Sequence, residues 1–342
     1  MTVLLLTSVK IRKSNMKQIL KAVIAALLVA GTAIAAHAQK LDNVSLRLSW
    51  YIGGYHAAYY LGKDKGFYKD EGIDLTIHEG RGSANTAQLV AAKTDTFGVS
   101  DSSSMMLGAA KGLPIKTVVS LMNGAGFAVL MLQDTSIKAA ADLKGKKIAT
   151  SPGDALTQLL PAVLAANKLT RNDVQVVMLD PAGKQAALLE KKVDAMLGDI
   201  GAQGVILEER GHKIHSLRFG DIGVETIGLV IHTHRDTIKD NPDLVRRFVK
   251  ATVRAWEAAK ADPEAAVKSV QAVKPDLAAG IIRNQLKTFI SFMETPATKG
   301  RPVGYGAAAD WEHTYKLYAD LRDMKTDMKP GDFYTNEFLP KQ

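Results

Sequence analysis

Aromatic and imidazole side chains crowd into one short stretch in the first quarter of the chain. The segment LSWYIGGYHAAYYLGKDKGFYKDEGIDL carries Trp50 and His56 on either side of Gly53-Gly54, in a chain with only 6% aromatic residues. An indole face gives a flat ligand a large contact area at low entropic cost, and an imidazole can donate or accept a hydrogen bond beside it. We interpret Trp50 as a stacking surface, His56 as its polar neighbour and the two glycines as a turn that clears space over the indole. A core tryptophan and a backbone-bonded histidine at a helix start are the alternatives.

Two loops further along carry hydroxyl groups, and the first of them also carries two glycines. In GRGSANT, Ser83 can cap the next helix, and free N–H groups at a helix start suit an anion. The turn SDSSS adds Asp101 and Ser102. All three are candidate ligand-binding residues, and plain helix capping is the alternative for Ser83.

The middle of the chain repeats this chemistry. TSPGD supplies Ser151, Gly153 and Asp154, and GDIGAQG supplies Asp199. A carboxylate can accept the N–H groups of an uncharged heterocycle, whereas a buried unpaired acid beside an anion is costly. The acids therefore favour a nitrogen heterocycle and the glycine loops favour a sulfonate or carboxylate, so both ligand classes stay open. Aspartates that only cap helices are the alternative for both acids.

The sequence lacks the common short motifs of catalytic and cofactor-binding sites. It contains no G-x-S-x-G elbow, no H-E-x-x-H and no G-x-G-x-x-G after the first strand. His232 and His234 lie on one face of a predicted strand, but a zinc site needs a third protein ligand that the sequence does not identify. We expect no metal, no cofactor and no enzymatic activity.

Alternating strands and helices must position these loops. Strands are predicted at Val44–Trp50 and Ile73–Glu79 and a helix at Ala84–Thr94, and the alternation restarts from Lys138 to about Phe219. This rhythm is typical of an α/β protein with parallel-type sheets. The rest, after Asp240, is mainly helical. The pattern predicts two α/β lobes with a cleft between them, where such sheets place ligands.

Two extended apolar segments are predicted to connect the lobes. They are FAVLMLQD, which begins at Phe127, and TIGLVIHTHRD, which begins at Thr226. On this basis lobe 1 is discontinuous and consists of residues 39–132 and 225–342, and lobe 2 consists of residues 133–224.

The first 38 residues have the features of a secretory signal peptide. Basic residues precede an apolar run of about fifteen residues, which ends in Ala36-His37-Ala38. Translation from Met1 or from Met16 would both give a complete peptide, with cleavage predicted after Ala38. A retained membrane anchor is the alternative. The peptide carries five basic and no acidic residues, so the formal net charge of +9 falls to +4 in the remainder.

After residue 38, acidic and basic residues are interspersed along the chain. The sequence therefore has no basic stripe for binding nucleic acid. The chain contains no cysteine, so export to an oxidising compartment brings neither disulfides nor stray thiols.

The opening stretch resembles the solute-binding proteins of ABC importers for thiamine pyrimidine precursors, a branch of a wider family of sulfonate, taurine and nitrate binders. Trp50, His56, Gly66-Phe67-Tyr68 and Gly72-Ile73-Asp74 match that branch without a gap, and the tail GDFYTNEFLP resembles its ending. The resemblance extends over Val44–Pro340. It implies a type II periplasmic binding protein, in which each lobe is a sheet flanked by helices and two segments cross between the lobes.

The resemblance also implies a function. We expect a periplasmic monomer that captures a small organic ligand by cleft closure and delivers it to an inner-membrane permease with its ATPase. A thiamine pyrimidine precursor or a similar heterocycle is the first expectation, and an alkanesulfonate, taurine, nitrate or an aromatic carboxylate is the alternative.

Two sequence differences from related proteins bear on whether this chain is a synthase and on which ligand it binds. The superfamily contains a eukaryotic thiamine-pyrimidine synthase with a Lys and a His after its third strand, where this chain has Ser100 and Ser104, and with a cysteine-rich motif that is missing here. A synthase is thus the remote alternative. Where transport members often have Trp-x-Pro-Asn, this chain has Trp50-Tyr51-Ile52-Gly53, so its ligand can differ from theirs.

Overall fold

The computed structural model describes residues 40–322 and 324–341. By its contacts the chain divides into residues 1–41 and a compact unit that begins at Asp42 and contains all of the strands and helices named below. The predicted signal peptide lies outside the described residues, so it stays a prediction. Among the described residues, no helix is both long and apolar enough to cross a membrane.

Ten strands form two five-stranded sheets. In chain order the strands are β1 (Asp42–Arg47), β2 (Ile73–His78), β3 (Phe97–Asp101), β4 (Ile115–Ser120), β5 (Phe127–Leu132), β6 (Lys147–Thr150), β7 (Gln175–Met178), β8 (Ala195–Asp199), β9 (Ile214–Arg218) and β10 (Leu229–His234). The first sheet has the order β2-β1-β3-β10-β4 and the second has the order β7-β6-β8-β5-β9.

Each sheet is mixed, because one strand in each runs against its neighbours. In the first sheet β1 pairs in parallel with β2 and β3, whereas β10 is antiparallel to β3 and β4. In the second sheet β6 is parallel to β7 and β8, whereas β5 is antiparallel to β8 and β9. The expected α/β class with two sheets is confirmed. The purely parallel pairing was wrong, because each strand that enters from the other sheet runs in the reverse direction.

The connection between the sheets lies earlier than the predicted boundary at residue 132. Strand β5 pairs with β8 and β9 along its length, which makes Phe127–Leu132 part of the second sheet and not the end of the first. The chain therefore leaves the first sheet between Ser120 and Phe127. It returns between Arg218 and Leu229.

Helices cover the faces of both sheets. They are α1 (Ala57–Asp64), α2 (Phe67–Asp70), α3 (Ser83–Ala91), α4 (Ser102–Ala110), α5 (Ala155–Ala166), α6 (Pro181–Leu189), α7 (Val205–Glu209), α8 (Arg235–Asp240), α9 (Pro242–Ala261), α10 (Pro263–Val273), α11 (Ala279–Ser291) and α12 (Ala308–Arg322). A 3₁₀ turn, Gly54–His56, leads into α1, and a π-helical turn, Ile200–Gly204, leads into α7.

The C-terminal helices complete the first core. Asn241 accepts from the N–H of Leu244 and precedes a proline at the start of α9, as its sequence predicts. Helix α9 places Phe248 in a stack with Phe97 of β3, at 3.8 Å between ring centroids, and Trp256 in a stack with Phe289 of α11, at 4.7 Å. These buried contacts hold α9 against β3 and α11 against α9, and they place Phe289 at the wall of a cavity between the sheets.

Candidate functional site

The cavity lies where the loops after β1, β3, β6 and β8 meet. Its empty volume is about 680 Å³, including the part that opens to solvent. The polar residues that line it are Ser49, Ser83, Asp101, Asp154, Asp199 and Gln203, and the aromatic ones are Trp50, Tyr55, Phe127, Phe289 and Phe292.

Three carboxylates line the cavity, and each follows or ends a strand. Asp101 ends β3, Asp154 follows β6 and Asp199 ends β8. Each also satisfies N–H groups at the start of the next helical segment: Asp101 accepts from Ser104 at 3.0 Å, Asp154 from Leu156 at 3.1 Å and Asp199 from Gly201 at 2.7 Å. The capping and the cavity-lining interpretations therefore both hold for these acids.

Burial changes the ionisation of two of the acids. It raises the pKa of Asp199 to about 6, with a smaller contribution from the charge of nearby Asp154, although N–H groups of Gly201 and Ala202 oppose the shift. Burial also raises the pKa of Asp101, against hydrogen bonds from neighbouring serines. One oxygen of Asp101, Oδ2, has no hydrogen-bond partner among the described residues. The cavity thus holds acceptors that a donor-rich ligand can satisfy.

Ser83 lies at the cavity, although it does not cap α3 as the sequence suggested. The N-cap position is Gly82, and the Ser83 hydroxyl accepts from the N–H of Asp101 at 3.1 Å. This bond fixes the end of β3 against the start of α3. The glycine loop itself is closed off, since a Cβ on Gly82 would lie 2.5 Å from the carbonyl oxygen of Gly153.

Trp50 is half-buried and borders the cavity, as the stacking interpretation requires. Tyr55 stands beside it, and its hydroxyl donates to the carbonyl of Tyr51 at 3.1 Å. Burial, together with the charges of Asp199 and Glu79, raises the pKa of Tyr55, so its hydroxyl stays protonated. The wall thus combines an indole face with a neutral hydroxyl.

Four of the predicted residues do not line the cavity, namely His56, Ser102, Ser151 and Gly153. The His56 ring is fully buried behind the wall, and burial lowers its pKa to about 3, which leaves it neutral. Ser102 is also buried and donates to the carbonyl of Ile227 at 2.5 Å. Ser151 is buried as well, and Gly153 is exposed, with a φ of +74°.

Gly53 and Gly54 have a packing role that the sequence did not indicate. The sequence suggests only that they clear space over Trp50. In the structure, a Cβ on Gly54 would overlap the carbonyl oxygen of Ile282 in α11, and one on Gly53 would lie 2.8 Å from Gln285 Oε1. The pair is needed because this turn approaches a helix too closely for any side chain.

The two histidines that the sequence analysis considered as metal ligands are not arranged for a metal site. His232 is fully buried, with its Nε2 2.9 Å from the Ser100 hydroxyl, and His234 accepts from the N–H of Asp236. Burial lowers the pKa of His232 to about 3. Across the described residues, no group of three His, Asp or Glu side chains could hold a metal ion.

Comparison with known proteins identifies the family. The profile described as "NMT1/THI5 like" matches residues 54–266, which is more than half of the chain. The chain belongs to the NMT1/THI5-like family. The resemblance inferred from the opening stretch is confirmed at this level.

Three curated relatives of this NMT1/THI5-like protein carry different names. It is 27% identical to the riboflavin-binding protein RibY of Chloroflexus aurantiacus, over 88% of this chain and 87% of that one. It is 23% identical to the formylaminopyrimidine-binding protein of Halalkalibacterium halodurans, over 82% and 86%. It is 25% identical to the 4-amino-5-hydroxymethyl-2-methylpyrimidine phosphate synthase THI11 of Saccharomyces cerevisiae, over 87% and 88%. The family thus includes proteins named for binding and proteins named for synthesis.

The fold matches that of solved binding proteins. The alkanesulfonate-binding protein SsuA of Xanthomonas axonopodis pv. citri superposes with a TM-score of 0.67 at 17% identity, over 86% of this chain and 98% of that one. At this identity the match shows the fold alone. It agrees with the two-sheet architecture that the sequence predicted.

One residue of this NMT1/THI5-like protein that the sequence reasoning missed is Lys184 in α6. Its side chain is fully buried, with Nζ 3.2 Å from Asp154 Oδ2. The sequence offers only a weak signal for it, because Lys184 falls in the helical stretch KQAALLEKKV with three other charged residues. A buried lysine is rare without a partner, but the partner lies thirty positions away in the sequence.

A wider groove continues from the cavity toward solvent. The two share Trp50, Tyr55, Ala202 and Gln203, and the groove adds polar residues such as Asp180, Arg210 and Lys274. The opening of the cavity therefore passes between the indole of Trp50 and the amide of Gln203, which come from opposite sheets.

Hydrogen bonds between elements that pack on the first sheet and elements that pack on the second close the cavity on its other flanks. The amide of Gln158 in α5 donates to the Ser104 hydroxyl in α4 at 2.9 Å. Gln285 in α11 accepts from the N–H of Gly54 at 2.7 Å and donates to the carbonyl of Ala202 at 3.2 Å. These bonds connect elements of the first sheet with elements of the second.

Proposed function

We propose that this chain is the solute-binding component of an ABC importer and that its ligand is a small nitrogen heterocycle, such as a thiamine pyrimidine precursor. The observation that carries this proposal is the charge of the cavity. The described residues that line it include three aspartates and no Lys, Arg or His. Such a wall accepts hydrogen bonds from N–H groups and disfavours an anion.

Shape and aromatic content support the same ligand class. Trp50 on one wall and Phe289 and Phe292 on another leave apolar faces for a flat ring. Asp154 and Asp199 line the same cavity, so an exocyclic amino group of such a ligand can donate to either carboxylate. Relatives named for a formylaminopyrimidine and for riboflavin, both flat nitrogen heterocycles, agree with this choice.

The alternative of a sulfonate, taurine, nitrate or aromatic carboxylate has less support. It depended on the two glycine loops as anion sites. Because Gly82 packs directly on Gly153, the glycines of those loops face each other, and the second loop presents the carboxylate of Asp154 to the cavity. An anion in the cavity would face carboxylates without a cation in contact.

We also propose that the protein does not turn its ligand over. The two histidines nearest to the site, His56 and His232, are fully buried and neutral, and neither lines the cavity. Ser100, where the resemblance places the Lys of the synthase, hydrogen-bonds to His232 and to the carbonyl of Ser83. Among the described residues, no imidazole is thus available beside a ligand for proton transfer.

In this proposal the two sheets are the cores of two lobes that close on the ligand. The segments between the sheets would form the hinge, and they pair with each other, since the N–H of Gly228 donates to the carbonyl of Met122 at 2.9 Å. With this hinge, lobe 2 begins near Phe127 and not at residue 133. The protein would act outside the cytoplasm, as a monomer that presents its closed form to a permease and its ATPase.

The test is thermal unfolding of the purified protein with candidate ligands. The panel holds 4-amino-5-hydroxymethyl-2-methylpyrimidine, formylaminopyrimidine, riboflavin, taurine, an alkanesulfonate, nitrate and an aromatic carboxylate. A true ligand at about a hundred times its Kd adds roughly 2.7 kcal/mol, which raises Tm by several degrees. A shift with taurine, the alkanesulfonate or nitrate alone would contradict the heterocycle.

Trp50→Ala should then weaken binding of the heterocycle about 10- to 100-fold, because stacking of a base on an aromatic ring contributes about 1–3 kcal/mol. Calorimetric titration measures this loss. Tyr51→Ala is the matched control, since Tyr51 is exposed and lines only the outer groove. Equal affinities of the Trp50 variant and the wild type would exclude Trp50 as the stacking surface.

A further inference from the structure

Lys184 is unusual in its position as well as in its burial. No other Lys or Arg in the described part of the chain is fully buried. It also lies in the first turn of α6, whose N-terminus Asp180 caps by accepting from Ala182 and Gly183, each at 3.0 Å. A cation is disfavoured both in a protein interior and at a helix N-terminus. Some interaction must therefore keep it there.

Three groups surround the ammonium. Nζ donates to Asp154 Oδ2 at 3.2 Å and to the carbonyl oxygen of Leu197 at 2.8 Å, and it lies 5.8 Å from the centroid of the Trp50 ring. An ammonium has three donors, and two of them are used by these oxygens. Lys184 itself does not line the cavity, so it reaches a ligand only through Asp154 and Trp50, which do.

Asp154 is left with acceptor capacity toward the cavity. One oxygen accepts from Leu156 and the other from Lys184, whereas an ionised carboxylate has about four acceptor positions. The Lys184 ammonium bonds the oxygen that the helix start does not use, so both carboxylate oxygens are held in fixed directions.

We propose that Lys184 sets the ligand class of the cavity: it holds the Asp154 carboxylate in place, so that the wall accepts N–H groups of a ligand in preference to anions. This inference rests on the proposed solute-binding function. Lys184 is a positioning residue, since it acts on the ligand through Asp154. The specificity of the site is then determined by a residue that the ligand does not touch.

The experiment compares ligand preference in four proteins: the wild type, Lys184→Met, the double variant Lys184→Met with Asp154→Asn, and Lys192→Met. Lys192 is the matched control, because it is an exposed lysine eight positions away that pairs only with Glu190. The probes are 4-amino-5-hydroxymethyl-2-methylpyrimidine and taurine. The measured quantity is the ratio of their affinities at neutral pH.

We expect the ratio to shift toward taurine by at least about tenfold in both variants, since Lys184→Met removes the bond that fixes the Asp154 acceptor and Asp154→Asn replaces that charged acceptor with an amide that can donate. Lys192→Met should keep the wild-type ratio. The double variant removes both charges and is expected to regain the thermal stability that Lys184→Met loses. It keeps the test decisive if the single variant fails to fold.

Two results would overturn the inference. A double variant that folds and keeps the wild-type ratio would mean that the ion pair is only structural. A Lys184→Met variant that folds and keeps the wild-type ratio would show that Lys184 does not set the preference. Failure of the proposed function is a separate outcome, because it is read from the wild type alone, which would then prefer taurine or bind no solute of the panel.

Discussion

At the scale of single residues, the site depends on carboxylates that serve two purposes. Asp101, Asp154 and Asp199 each bind N–H groups at a helix start and also face the cavity. Capping fixes the direction of the carboxylate, because the accepting oxygen must stay with its N–H group. A ligand therefore meets acceptors that are already oriented, and little entropy is lost in ordering them on binding.

Asp199 should make binding depend on pH. Because burial raises its pKa to about 6, Asp199 loses its charge as the pH falls through that value. A neutral N–H donor binds the ionised form better, so affinity for an uncharged heterocycle should decrease below pH 6 by up to about tenfold per unit. In Asp199→Asn this part of the pH profile should be flat. Calorimetric titrations between pH 5 and pH 8 measure both.

Without ligand, the effect of Asp199 on stability should have the opposite sign. A carboxyl group whose pKa is higher in the folded state stabilises the protein when protonated, and that stability is lost as the pH rises through about 6. Asp199→Asn should therefore have a higher Tm than the wild type at pH 7.5, and the difference should shrink as the pH falls below 6. A difference that does not change with pH would contradict this assignment.

At the scale of elements, the turn Gly53-Gly54 determines how the first sheet meets α11. Gly54→Ala should destabilise the protein by about 1–3 kcal/mol, since its Cβ would overlap the carbonyl oxygen of Ile282 and the backbone must shift. Thermal unfolding measures the loss. Gly331→Ala is the control, because a Cβ there meets nothing within 4 Å. Equal Tm values for the two variants would show that the turn has room for a side chain.

Local patterns predicted the elements better than they predicted contacts between elements. The alternation of strands and helices and the capping signal at Asn241 are local, and each corresponds to an element in the structure. The antiparallel direction of β5 and β10 was missed, because direction depends on which sheet a strand joins. A run of apolar residues such as FAVLML is the same in either direction.

The residues of the site were predictable only where they follow from local sequence patterns. Loops at strand ends identified Trp50, Ser83 and the three aspartates, which all border the cavity. Burial of His56 and Ser102 depends on helices packed over them from distant parts of the chain. Lys184 and Phe289 reach the site from helices whose sequences only show amphipathic patterns. No local signal separates such residues from ordinary core and surface positions.

At the scale of the whole molecule, Gln285 joins the two sides of the cavity. It is buried and bonds to Gly54 on one side and to Ala202 on the other. If the lobes separate to admit ligand, as we propose, Gln285→Ala should favour the open form. We expect a larger radius of gyration in solution scattering without ligand and an affinity about three- to tenfold lower.

The control for this variant is Lys287→Ala, an exposed position on the same helix. It should change neither the radius of gyration nor the affinity. Unchanged scattering in Gln285→Ala, with or without ligand, would mean that the two sides do not separate about this contact.

The placement of the three tryptophans gives the protein a built-in optical signal. Trp256 and Trp311 are fully buried and do not line the cavity, whereas Trp50 borders it. A ring stacked on Trp50 should quench or shift only its share of the emission, while the other two indoles supply a constant background. Fluorescence titration can therefore follow occupancy without a label, and Trp50→Phe should abolish the signal even if the phenyl ring still supports binding.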